Sequence, residues 1–174
     1  MGIQFETDYN METLTAMAKS LRKTVRRKRS RRVHIFAAVV LVLGILTILA
    51  TVAGGEPLGA SGVVTLLALL VVILATVFED RLNAWFARRR LLPGTEHAVA
   101  TFEEDGYVSA TGVTESRFSY AQIVAVAETA RYVVFALSSH HTQAYDKRTI
   151  RGGSVEDFRA FIAEKTGKLV ENIK

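Results

Sequence analysis

The sequence predicts an α+β membrane protein, in which a hairpin of two transmembrane helices precedes a small antiparallel β domain capped by a C-terminal α-helix. Three observations support this fold class. From Val33 to Phe78 the only charged side chain is Glu56, and such a long apolar block is typical of membrane spans. After His97, apolar and polar residues alternate as they do in half-buried strands. Residues 154–167 carry the start and stop signals of one helix.

The apolar block divides into two spans. The first covers residues 33–53 and the second residues 60–78, and about 20 helical residues are enough to cross a hydrocarbon core of roughly 30 Å. Residues 54–62 contain four glycines and a proline, which predicts a helix break and a tight turn. The second helix is predicted to continue into the cytoplasm over residues 79–92 and to stop at Pro93-Gly94, so residues 33–92 form the transmembrane unit.

A cleaved signal peptide and a buried helical hairpin of a soluble protein are the two alternatives to this hairpin. The apolar region is too long for a signal peptide, the basic region lies too far from the start of the chain, and a second span follows. A soluble domain rarely concentrates its apolar residues in one block of this kind. Both alternatives are therefore disfavoured.

Basic residues lie on one side of the predicted hairpin. Nine lysines and arginines fall between Lys19 and Arg32 with no acid among them, and none lies in the turn 54–62. The positive-inside rule therefore predicts a multi-pass protein of the cell (inner) membrane with both termini in the cytoplasm. The basic flank assigned to the membrane surface comprises Arg26, Arg27, Lys28, Arg29, Arg31, Arg32, Arg88, Arg89 and Arg90.

Residues 1–32 precede the hairpin and are predicted to form a short strand followed by a basic amphipathic helix. Ile3 and Phe5 alternate with polar residues, whereas the segment from Asn10 to Arg32 lacks glycine and proline. Its apolar stripe comprises Leu14, Met17, Leu21 and Val25. The stripe either lies in the membrane interface or packs on the soluble domain while the charges fix the topology; the second interpretation is favoured.

Residues 93–174 are predicted to form the cytoplasmic domain. About six short strands are separated by turn residues such as Asp105-Gly106, and links this short favour an antiparallel meander over parallel crossovers. One helix follows, between the N-cap Ser154 and the C-cap Gly167. Its apolar face comprises Val155, Phe158, Phe161 and Ile162. Laid across the open face of the sheet, this helix would complete the core.

Several segments of this domain resemble a known family. The segments FEEDG, SYAQI and VAVAET and the basic pair Lys147-Arg148, placed after two apolar spans, resemble the bacterial YcxB-like membrane proteins, best over residues 102–166. The resemblance implies a pleckstrin-homology-like domain, with a strongly bent antiparallel sheet capped by a C-terminal helix. Tyr120 stands where the family often has tryptophan, and the basic pair follows Asp146 where the family usually has proline. The family supplies no established catalytic or binding residues.

No pattern in the sequence indicates catalysis, a metal site or a cofactor. His140 and His141 are adjacent on a predicted turn and do not share a face, as metal ligands would. The two serines before them lack a third group to orient a base, and Gly152-Gly153 lacks the spacing of a phosphate-binding loop. The chain has no cysteine, which excludes disulfides and thiolate ligands. We expect a non-enzymatic protein without a cofactor.

The best local candidate for contact with an anion or a partner is a basic cluster ahead of the last helix. It consists of Lys147, Arg148 and Arg151, and either a headgroup phosphate or an acidic partner would suit it. The alternative is a solvated loop. Nucleic acid is not expected as a partner, because the basic run adjoins a membrane span and residues 91–174 carry 9 basic and 11 acidic side chains, a net charge of −2.

These observations favour one function and leave two alternatives. The favoured one is a membrane-anchored cytoplasmic interaction module that binds an unknown protein partner. The first alternative is a module that responds to anionic lipid. The second alternative is a small membrane enzyme or transporter subunit. It would require assembly into a homo-oligomer, because the two spans carry no buried charge that could line a path for ions or substrate.

Overall fold

The computed structural model describes residues 2–173 as two four-stranded sheets, a long apolar hairpin and three further helices. The helices are α1 (Met11–Lys23), α2 (Arg27–Ala53), α3 (Ala60–Val77), α4 (Glu79–Arg89) and α5 (Val155–Thr166). The strands are β1 (Ile3–Asp8), β2 (His97–Phe102), β3 (Tyr107–Thr111), β4 (Glu115–Phe118), β5 (Ala125–Glu128), β6 (Tyr132–Ala136), β7 (Thr142–Asp146) and β8 (Val170–Asn172). The predicted α+β class is confirmed at this level.

The strands form two sheets, with the orders β1-β2-β3-β4 and β7-β6-β5-β8. The predicted antiparallel meander is confirmed within β2-β3-β4 and β5-β6-β7. It is incomplete at the sheet edges, where β1 joins β2 antiparallel and β8 joins β5 in parallel. The parallel pair is possible because the chain runs through β6, β7 and α5 between β5 and β8, which provides the long connection that parallel strands need.

Strand β1 belongs to the same sheet as the strands that follow the hairpin. Its residues pair in register with β2, from Ile3 opposite Phe102 to Asp8 opposite His97. The segment from α1 to α4, which contains the apolar hairpin of α2 and α3, is therefore an insertion between two neighbouring strands of one sheet. Both ends of that insertion return to the same sheet.

Aromatic rings fill the space between the two sheets and α5. Phe102 lies at the centre, with ring centroids 5.9 Å from Phe5, 5.1 Å from Tyr107 and 4.8 Å from Phe158. Phe158 and Ile162 of α5 are buried, as the predicted apolar face requires. The capping prediction is also confirmed: the Ser154 side chain accepts from Asp157 N, and Gly167 is left-handed with φ of +65°.

The single helix predicted from Asn10 to Arg32 is wrong, because a turn separates α1 from α2. Thr24 leaves helical geometry at φ −104° and ψ −96°. Arg26 Nε donates to the Ser139 carbonyl at 2.6 Å, so a contact with the β6–β7 turn helps to fix the point where the chain changes direction. The stripe residues Leu14 and Leu21 are buried, which supports packing of this stripe inside the protein.

Helices α2 and α3 are long and apolar enough to span a membrane by length and composition. An apolar 18-residue window of α2 is only 6% buried within the protein, and the corresponding window of α3 is 11% buried. Helix α2 begins six residues before the predicted span, at Arg27, and α4 ends at Arg89, ahead of the predicted limit of residue 92. The two apolar helices pack on each other where Gly44 faces Leu69.

Candidate functional site

The three cations predicted to contact an anion or a partner each face a carboxylate of this chain. The ion pairs join Lys147 to Glu128 at 2.7 Å, Arg148 to Asp146 at 2.9 Å and Arg151 to Glu6 at 3.1 Å. Lys147 is mostly buried, whereas the other two side chains are exposed. Because each cation has a different internal partner, an anion bound there would compete with three carboxylates. Their role in binding stays a prediction.

Glu128, at the end of β5, is a buried acid with two cationic partners. It is 5% exposed and accepts two hydrogen bonds from Arg159 of α5, at 2.6 and 2.8 Å, and one from Lys147 at 2.7 Å. The hydrogen bonds from Arg159, followed by those from Lys147, lower the pKa of Glu128 to about 2 despite its burial. This carboxylate therefore stays charged and ties α5 to the second sheet.

Asp146 is a second buried carboxylate and links the domain to α1. Arg131 donates to its Oδ2 from Nε at 2.9 Å and Nη2 at 2.8 Å, and Arg148 donates to both of its carboxylate oxygens. The same Arg131 also forms an ion pair with Glu12 of α1. Glu128 and Asp146 are fully engaged in such bonds, which indicates a structural role.

A groove of about 980 Å³ lies between α1, the β5–β6 turn and the C-terminal strand. We call it the domain groove. Apolar side chains of Ala16, Tyr132 and Ile173 line it, together with the charged side chains of Lys19 and Arg81. Within residues 2–173, Lys19 and Arg81 have no ion-pair partner, unlike Lys147 on the same groove. The groove thus combines apolar surface with two cations that lack an internal counter-charge.

A second groove, of about 680 Å³, lies where α1, α2 and α4 meet the β6–β7 turn. We call it the junction groove. Its apolar lining includes Leu21, Val33 and Phe86, and its basic lining comprises Arg22, Arg26, Arg29 and Arg90. Its single acid, Glu79, lies 3.6 Å from His34 Nε2 and 3.7 Å from Arg22 Nε. Arg22 is paired with Asp80, so the other three arginines against Glu79 give the groove a net charge of +2.

The basic flank predicted from the sequence is thus divided by the tertiary structure. Arg26, Arg29 and Arg90 line the junction groove, and Arg89 lies over the Trp85 ring at 3.7 Å. The remaining predicted flank residues, Arg27, Lys28, Arg31, Arg32 and Arg88, are exposed. The sequence predicted that this flank is basic, but it did not predict the two grooves. A groove forms only when separate helices pack against each other.

The serine side chains of the histidine-serine turn form local hydrogen bonds. The Ser139 hydroxyl and His140 Nδ1 lie 2.7 Å apart, and Ser138 Oγ accepts from the backbone N–H groups of His140 and His141. Over residues 2–173, no group of three or more His, Asp or Glu side chains is placed to hold a metal ion. These contacts are those of a polar hairpin turn.

A family model matches part of this chain. The model of the YcxB-like protein family matches residues 102–162, a stretch that runs from the end of β2 into α5. No curated protein and no solved structure matches the chain. The matched stretch includes Glu128, Asp146 and most of the aromatic core described above. Residues 102–162 are therefore a YcxB-like segment, as the resemblance of the sequence had indicated.

Proposed function

We propose that this protein is a membrane-anchored, non-enzymatic interaction module, which holds its YcxB-like domain at the cytoplasmic face of the cell membrane to bind a protein partner. In this proposal α2 and α3 cross the bilayer as a hairpin, and the domain carries the bent, helix-capped sheet of a pleckstrin-homology-like fold. The arrangement of two sheets with α5 against their shared aromatic core supports that fold.

The observation that carries the proposal is the insertion of the hairpin between β1 and β2. Because these strands pair along their full length, the two ends of the hairpin lie on the same side of any membrane that it crosses. A chain that leaves and re-enters one sheet must cross the bilayer an even number of times, and α2 and α3 supply two crossings. The basic flank on both ends favours the cytoplasmic side.

The exposed surface of α2 and α3 supports membrane insertion independently. A core helix of a soluble protein is mostly buried, but these helices are 6% and 11% buried over their apolar windows. So much exposed apolar surface is unfavourable in water and favourable in lipid. The alternative of a transporter is not supported, because the spans contain no Asp, Glu, Lys or Arg between Val33 and Ala53 or between Ala60 and Val77.

The domain groove is the surface proposed to bind the partner. Its apolar lining suits an apolar side chain, and Lys19 and Arg81 suit a neighbouring acid. Because Arg81 belongs to α4 and Lys19 to α1, the groove exists only while the domain is docked on the base of the hairpin. We therefore propose a partner segment that presents an apolar residue beside a carboxylate.

The proposed topology is tested by single-cysteine labelling, which the absence of native cysteines makes direct. Glu56→Cys lies in the α2–α3 turn and Asp105→Cys in the β2–β3 turn, and both positions are exposed. A membrane-impermeant maleimide should label Glu56→Cys in intact cells and Asp105→Cys only after the cells are opened. Labelling of both positions in intact cells, or of neither, would refute the anchored arrangement.

Partner binding is tested by photo-cross-linking in native membranes from a reactive group at Thr15, on the domain groove. We expect a saturable protein adduct that is lost in the Lys19→Glu, Arg81→Glu variant. The control Ser116→Arg, on exposed strand β4, should leave the adduct unchanged. An adduct that persists in the groove variant would place partner binding elsewhere.

A further inference from the structure

We propose that the junction groove binds one anionic phospholipid of the cytoplasmic leaflet, with the headgroup phosphate held by Arg29 and Arg90. This inference rests on the membrane insertion proposed above, and it assigns lipid recognition to residues other than Lys147, Arg148 and Arg151. Four features of the groove support it: its depth relative to the apolar spans, its unpaired charge, its apolar lining and its continuity with the surface of α4.

The part of the groove that α2 forms lies at the depth of lipid headgroups in the proposed arrangement. Val33, the first residue of the apolar part of α2, belongs to its lining, and Arg29 precedes Val33 by four residues. At 1.5 Å per residue, Arg29 lies about 6 Å beyond the start of the apolar segment. The headgroup region on each side of a bilayer is roughly 5–7 Å thick. Arg29 is therefore placed at the level of the lipid phosphates.

The arginines of the groove have N–H groups available to bind an anion. Throughout residues 2–173, Arg29 and Arg90 form no ion pair with an acid of the chain. Arg26 donates only its Nε to Ser139, which leaves its other N–H groups to bind a ligand. Guanidinium groups bind phosphate oxygens in a bidentate manner. The net charge of the groove is complementary to a phosphate and not to a cation.

An apolar path leads from the groove toward the spans. Phe86 lines the groove, and Leu82 and Phe78 follow it at intervals of four residues along the outer face of α4 and its junction with α3. All three side chains are exposed, as is Trp85 beside them. Residues four apart share one face of a helix, so they form a stripe that continues the apolar surface of α3. An acyl chain would cover this stripe.

The combination of these features favours a lipid over a soluble anion. A free phosphate would use the arginines but would leave the apolar stripe exposed, whereas a phospholipid matches both halves of the surface. The groove also contains uncharged polar groups of Asn83 and Thr142, which suit the hydroxyl or glycerol part of a headgroup. The occupant is therefore identified as a phospholipid with a net negative headgroup.

Trp85, the only tryptophan of the chain, gives a direct readout of lipid binding. The full-length protein is reconstituted in phosphatidylcholine vesicles, and fluorescence quenching is measured with brominated phosphatidylglycerol or brominated phosphatidylcholine. We expect phosphatidylglycerol to quench Trp85 at lower mole fraction than phosphatidylcholine. The Arg29→Gln, Arg90→Gln variant is compared with the Arg27→Gln, Arg31→Gln control, which removes the same charge from exposed positions outside the groove.

The groove variant should lose at least fivefold more preference for phosphatidylglycerol than the control. Both variants lose the same diffuse attraction of two cations, and only the groove variant also loses hydrogen bonds to the phosphate, each of which contributes roughly tenfold or more. Inorganic phosphate at millimolar concentration should not displace the lipid. Equal losses in the two variants would show diffuse attraction and overturn the site, and displacement by phosphate would overturn the assignment to lipid. Failure of membrane insertion would be recognised separately, because neither brominated lipid would then quench Trp85.

Discussion

Arg22 of α1 donates two parallel hydrogen bonds to Asp80 of α4, from Nε to Oδ1 at 2.7 Å and from Nη2 to Oδ2 at 2.6 Å. Both side chains are largely buried. The pair joins α1, which follows strand β1, to α4, which follows the second apolar helix. Fork-to-fork pairs of this kind fix orientation as well as proximity. This pair therefore fixes the orientation of α1 relative to α4.

Separating Arg22 from Asp80 should loosen the domain from the hairpin. In a double-mutant cycle with Arg22→Ala and Asp80→Ala, we expect a coupling free energy of about 1–3 kcal/mol, as found for hydrogen bonds to charged groups. The measurement is thermal or denaturant unfolding of the protein in detergent micelles. The exposed pair Arg117–Glu103 serves as control and should give at most about 0.5 kcal/mol. Equal coupling in both cycles would contradict the proposed docking role.

The Glu128 carboxylate should make stability depend on acid pH. Its pKa is lowered from 4.5 to about 2 in the folded protein, so the unfolded chain takes up the proton first. Its contribution is complete above pH 4.5 and is lost as the pH falls toward 2. In unfolding experiments from pH 7 to pH 3, the loss of stability in Glu128→Gln should be constant at high pH and should shrink below pH 4.5. A loss that does not change with pH would refute this assignment.

Gly152 should not tolerate a side chain. It has a φ of +81°, and a Cβ there would collide with the backbone carbonyl oxygen of Gly2. The neighbouring Arg151 exchanges two backbone hydrogen bonds with Gln4 of β1, both 2.9 Å long. We expect Gly152→Ala to destabilise the protein by about 1–3 kcal/mol through backbone strain. Gly153→Ala is the matched control, because its Cβ would meet the Ile3 side chain at an ordinary 3.5 Å. Similar losses of stability in the two variants would argue against the close contact of Gly152 with the chain before β1.

Gly44 should allow the close approach of α2 and α3. A Cβ at this position would lie 2.5 Å from Leu69 Cδ2, so only a small residue fits without displacing the facing helix. Gly44→Leu is expected to destabilise the hairpin by about 1–3 kcal/mol through overpacking, measured as the detergent or temperature midpoint of unfolding. Ala50→Leu adds similar bulk on an exposed face of α2 and should have little effect. Equal stability of the two variants would show that the helices do not pack at Gly44.

The sequence by itself determined the elements whose signals are local. The apolar helices α2 and α3 follow from runs of residues that differ in composition from the rest of the chain. Helix α5 follows from Ser154 and Gly167, because a cap residue hydrogen-bonds or bends the backbone within one turn of itself. The strands β2 to β7 follow from alternation and turn residues, and the YcxB-like match covers most of them.

The tertiary structure alone decided which distant segments meet. Asp8 and His97, separated by 89 residues, lie in register at one end of the β1–β2 pair. The turn at Thr24 and the pairing of Lys147 with Glu128 likewise depend on groups brought in from other elements. Periodicity and composition describe the environment that a segment prefers, but many partners can supply the same environment. The choice among them is made by packing and charge pairing across the whole chain, and the two grooves exist only as a result of that choice.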